Sequence, residues 1–151
     1  MTRNLGKLFL TLCLLTVGGG VVANAQVDNP TRIQANVPFA FSVANTTLPA
    51  GKYEIKTLDD SNNVLELRSP NGRTSVLFET DSLQARGDRA ASKTELVFDK
   101  IGDQYFLSQV WVAGSASGSA LPKSRMEKRL EDGGSRSEKH SVVGFLKRLK
   151  P

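Results

Sequence analysis

The chain has one cysteine, one histidine and one tryptophan in 151 residues, and aromatic residues make up only 7% of it. Cys13 has no partner for a disulfide, and a lone thiol forms neither a thiolate zinc site nor a redox pair. Leu12 precedes it and the apolar run continues past it, so the small residues that lead into a lipoprotein acylation site are missing. His140 lies in a polar stretch with no element to orient it against a base or nucleophile, which reads as a solvated histidine. No apolar run approaches the roughly 20 residues of a membrane-spanning helix, because Gly18-Gly19-Gly20 cuts short the run over 8–17. No serine stands in a glycine-flanked nucleophile elbow either: the centre of Gly114-Ser115-Ala116-Ser117-Gly118 is alanine.

What is present begins with an address. Arg3 and Lys7, the short apolar run, and Ala23-Asn24-Ala25 before Gln26 have the layout of an export signal cut after Ala25. Residues 1–25 are therefore expected to leave, and the rest to reach the periplasm or the exterior without a cysteine. The 151 − 25 = 126 remaining residues suffice for one modest domain stabilised by packing alone.

The net charge of +5 is unevenly placed. Residues 26–122 hold nine Lys/Arg against eleven Asp/Glu, and residues 123–151 hold nine against four. A near-neutral body argues against nucleic acid as a partner and leaves the basic tail free for anionic surfaces.

Period-two alternation dominates the body. Ile33, Ala35, Val37, Phe39, Phe41 and Val43 share one face, with Pro38 marking an edge or a bulge. Leu48-Pro49-Ala50-Gly51 reads as a turn into a second strand carrying Tyr53, Ile55 and Thr57 on one face. Strands over 64–68 and 73–80 flank Ser69-Pro70-Asn71-Gly72, and strands over 95–101 and 104–112 flank Gly102-Asp103. The expected fold is all-β: an antiparallel sandwich or small barrel of about six strands spanning 26–113. A polar loop is expected over 81–92, a flexible linker over 114–120, and a short polar helix over 121–132. That helix has Pro122 for its first turn or a Ser124–Glu127 capping box, and a Lys123–Glu127 pair. The basic tail, 133–151, begins with disordered composition over 133–139.

Within the tail, Val142, Phe145, Leu146 and Leu149 fall at i, i+3, i+4 and i+7, beside Lys147, Arg148 and Lys150. A short amphipathic helix here would lie on an anionic surface, dock on a partner, or cover the protein's own sheet. No cofactor or metal is implied. The oxygen-rich Asp59-Asp60-Ser61-Asn62-Asn63 lacks the ligand spacing of a calcium loop. Arg86-Gly87-Asp88 is ordinary loop composition, and Asn45-Thr46-Thr47 fits the N-glycosylation rule only as a tripeptide.

Val37-Pro38-Phe39-Ala40-Phe41 with Leu48-Pro49-Ala50-Gly51-Lys52-Tyr53, then Gly102-Asp103-Gln104-Tyr105-Phe106-Leu107, and then Leu121-Pro122-Lys123-Ser124-Arg125 together make a pattern. It resembles a group of small exported proteins of acidobacterial type with no assigned activity. The resemblance implies a bacterial exported β-rich domain and supplies no catalytic residues. The expected function is a non-enzymatic domain binding a protein partner or an envelope surface with its tail. The alternative is a carrier whose interior, lined by Phe39, Phe41, Tyr53 and Trp111, holds a small apolar ligand. A hydrolase built on paired carboxylates ranks third.

Overall fold

The computed structural model describes residues 31–58, 63–85 and 90–147. They form eleven strands and one helix, more strands than the six read from the pattern. The first discrepancy is at Pro38. Instead of one strand over 33–43, the chain forms β1 (Arg32–Val37) and β2 (Phe41–Val43). Proline cannot donate to a ladder, so pairing stops there and the chain changes neighbours. β1 pairs antiparallel with β4 (Gly51–Thr57), Arg32 opposite Lys56 and Val37 opposite Gly51. β2 makes a short hairpin with β3 (Thr46–Leu48) and touches β9 (Gln104–Trp111) in parallel at Ser42 and Phe106.

β4 pairs with β5 (Val64–Arg68), and β5 pairs with β6 (Ser75–Glu79). Gly72, at φ 68°, and the Asn71 side chain, which accepts from Ser69 Oγ at 2.6 Å, close the expected hairpin. β6 then bends at Thr80, whose amide donates to the Asn63 carbonyl at 2.8 Å, and continues as β7 (Asp81–Gln84). Part of the expected 81–92 loop is thus a strand.

The partner of β7 is β10 (Ser117–Ala120), inside the stretch expected to be a flexible linker. β10 also pairs with the second half of β9, Ser119 opposite Val110. Gly118 permits this. A Cβ there would stand 2.7 Å from the Trp111 ring, so only glycine lets the indole lie against the strand.

The Gly102 turn joins β8 (Glu95–Ile101) to β9 as expected, and α1 (Arg125–Asp132) follows β10. Ser124 caps the helix: its hydroxyl accepts from the Glu127 amide at 3.2 Å, and Glu127 Oε2 accepts from the Ser124 amide at 2.6 Å. This is the capping box of the two starts considered, and Lys123 pairs with Glu131 at 2.6 Å rather than with Glu127.

The largest departure is the tail. Val142, Phe145 and Leu146, expected on an amphipathic helix, belong to β11 (Ser137–Leu146), which lies between β8 and β1. Ser137 stands opposite Ile101 and Val143 opposite Glu95, and the strand then reaches β1 with Ala35 opposite Gly144. At Gly144 a Cβ would be 2.8 Å from Ile33 Cγ2, so the glycine that weakens a helix permits the close approach of two strands.

β9, β8, β11, β1, β4 and β5 run side by side, and the return through β6, β7 and β10 to β9 makes a nearly closed barrel. Ile33, Val37, Ile55, Leu67, Leu96, Phe98 and Val110 fill it.

Candidate functional site

One end of the barrel is not filled. Where β1 and β10 begin and β4 and β9 end, the sheet surrounds a cavity of about 230 Å³. Its floor is hydrocarbon, from Ile33, Ile55, Leu65, Val110 and Val112. Its rim carries small oxygen and amide groups, from Thr31, Thr57, Asn63, Ser82, Ser115, Ser117 and Ser119. This division follows from the strands: alternate residues point inward, and those deep in the sheet are branched aliphatics while those at the fraying ends are hydroxylated.

Among the described residues, no ionisable side chain lines the cavity. A ligand there meets hydrocarbon below and hydrogen-bonding groups above. A charged ligand would lose its hydration without a counter-charge, so the chemistry favours an uncharged one. The volume is just below the roughly 300–1,000 Å³ of pockets that take drug-sized molecules, so only a small molecule would fit.

The four aromatics expected to line an interior pocket do not meet around this space. Phe41 packs edge-on against Tyr53 at 5.2 Å and against Phe98 at 5.3 Å. Phe39 stacks on Tyr105 at 3.9 Å and meets Phe98 edge-on at 5.2 Å. These rings fill core volume as contacting pairs. Tyr53 donates its hydroxyl to the Pro49 carbonyl at 2.7 Å, and burial pushes that phenol's pKa up. Trp111 lies over Gly118 and donates Nε1–H to Gln109 at 2.9 Å. Gly118 lines the cavity, so Trp111 stands beside it without lining it.

The tail residues also separate. Val142 packs against the core, while Phe145, 70% exposed, and Val143, 51% exposed, face outward. Leu146 is half-exposed, and Lys147 donates to Glu54 at 3.0 Å. Arg148, Leu149 and Lys150 lie outside the described residues, as do the export signal, residues 59–62 and the Arg86-Gly87-Asp88 tripeptide. His140 sits on β11 with its ring edge-on to Tyr105 at 5.4 Å, held by the sheet rather than in a loose tail.

Glu54, Glu66 and Asp99 pair with separate cations, whereas the buried Glu127 closes the helix cap. Glu54 accepts from Arg32 at 3.1 Å as well as from Lys147; burial pushes its pKa up, and the hydrogen bonds from Lys147 and Gln34 outweigh that, leaving it below the ordinary value. Lys56, 2.7 Å away, and the Ser75 hydroxyl hold Glu66 below the ordinary value too. Asp99 pairs with Lys139 at 2.6 Å. Among the described residues, no group of three or more His, Cys, Asp or Glu side chains could hold a metal ion.

Sequence reasoning missed the rim because its residues look like linker and loop. One signal was available: Ser115, Ser117 and Ser119 recur at period two, the spacing of a strand with one lined face. Comparison of the chain with protein-family models, with curated proteins and with solved structures finds no match.

Proposed function

We propose that this chain is an exported, non-enzymatic β-domain that carries a small uncharged ligand in the mouth of its barrel. The single observation behind this reading is the make-up of the cavity, a hydrocarbon floor under a ring of hydroxyl and amide groups with no charged side chain among the described residues. A probe with the matching chemistry is cyclohexanol, an apolar ring with one hydroxyl. Calorimetric titration into the protein should give saturable binding in roughly the micromolar to millimolar range expected for so few atoms. Thr57→Phe, which places a ring at the end of β4 where Thr57 lines the cavity, should abolish it while leaving unfolding cooperative. Equal heats from the variant would refute the reading.

Export is part of the proposal and rests on residues 1–25. Protein recovered from the periplasm or medium of an expressing bacterium should begin at Gln26 by mass spectrometry. An intact N-terminus on a cytoplasmic protein would contradict it.

A second reading, contact with an anionic envelope surface, is favoured by Phe145 and Val143 projecting from β11. Phosphatidylglycerol vesicles should retain the protein at low salt, and the Val143→Ser, Phe145→Ser pair should release it. Deleting the tail would not test this, because deletion removes an interior strand of the sheet.

A further inference from the structure

We propose that a second pocket, between α1 and the β2–β3 hairpin, binds a phosphate group through Arg125 and Arg129. The pocket has a volume of about 270 Å³, and Ser42, Asn45, Thr47 and Gln104 line it together with the two arginines. Arg125 and Arg129 are four residues apart on α1, on one face, where like charges repel. Among the described residues neither guanidinium has a carboxylate within 4.0 Å, whereas Lys56, Lys123 and Lys139 each have one. Of the three acids of the helix, Glu127 closes the capping box, Glu131 holds Lys123, and Asp132 is not within 4.0 Å of either guanidinium. Among the described residues, no acidic side chain lines the pocket.

The surrounding groups are donors. Asn45 and Gln104 offer amide N–H groups. The hydroxyls of Ser42 and Thr47 share one hydrogen bond of 3.1 Å, which leaves one hydroxyl hydrogen to give. Two guanidinium forks with two amides and a hydroxyl outnumber what the two oxygens of a carboxylate accept and suit the three or four of a phosphate. This pocket lies at the Gln104 end of β9, and the mouth cavity lies at the Val110 end, about 20 Å away at a strand's rise per residue. The two sites therefore stand or fall separately.

Inorganic phosphate titrated at low ionic strength should shift the side-chain amide resonances of Gln104 and Asn45 saturably. The R125Q/R129Q variant should weaken that binding by about tenfold or more. R129K, which keeps the charge but loses the planar fork, should fall between. Phosphatidylglycerol vesicles, presented to protein already carrying Val143→Ser and Phe145→Ser, decide the source of the phosphate. Capture that needs both arginines identifies a lipid headgroup, and phosphate binding without capture identifies a soluble phosphate; either supports the site. Shifts that never saturate, that sodium chloride reproduces at equal ionic strength, or that persist unchanged in R125Q/R129Q would overturn it.

Discussion

A chain ending at Gly134 should fail to fold. Residues 137–146 look detachable in sequence, yet β11 is hydrogen-bonded on both edges, to β8 from Ser137 to Val143 and to β1 around Gly144. Its removal would leave facing edges of β1 and β8 without partners and open the core around Ile33, Leu96 and Phe98 to water. Each buried backbone group left unpaired costs about 1–3 kcal/mol, and a domain's whole stability is about 5–15 kcal/mol. Circular dichroism of the truncated chain should show no cooperative unfolding transition. If residues 137–151 were an appended tail, truncation would leave the midpoint unchanged.

Phe98→Ala should be the most damaging of the single core substitutions considered. Phe98 is fully buried on β8 and meets Phe39 and Phe41 edge-on, so it links the β8–β9 hairpin to the segment that crosses the barrel after Pro38. Truncating a buried phenylalanine costs about 3–5 kcal/mol through lost transfer energy and the cavity left behind. Rigid neighbouring rings limit collapse into that cavity, which places the cost in the upper part of the range. With no disulfide among the residues after Ala25 to offset the loss, the unfolding midpoint should fall by roughly 10–20 °C. Phe39→Ala, at a partly buried position, should cost less. Equal costs at the two positions would mean that Phe98 is not the joint of the core.

Much of the barrel was legible where side chains decide it. Ile33, Ala35 and Val37 alternate because one face of β1 is buried, and the Gly72 and Gly102 turns announce their hairpins through positive φ. The capping box at Ser124 was readable for a similar reason: its two hydrogen bonds need only residues three apart. The rest depends on partners distant in sequence. β7 and β10 carry few large apolar residues and are held by each other's backbone and by Trp111 over Gly118, so neither announces itself as a strand. In the tail, Val142, Phe145 and Leu146 fit a helical period, and the neighbours waiting on β8 and β1 override that weak preference. The mouth cavity was illegible for the same reason, since it exists only once β10 is placed beside β7 and β9.

The fold and the proposed function meet at that mouth, and the lack of charge among its described lining residues is the most discriminating feature. Cyclohexanol and cyclohexanecarboxylate have similar rings and differ in ionisation, so titrating each into isotopically labelled protein tests the account most directly. Cyclohexanol should move the backbone resonances of Thr31, Ser82, Ser117 and Ser119 saturably, and the carboxylate should bind at least about tenfold more weakly at neutral pH for want of a counter-charge. Equal binding of the two, or shifts confined to residues away from β1, β7 and β10, would contradict it.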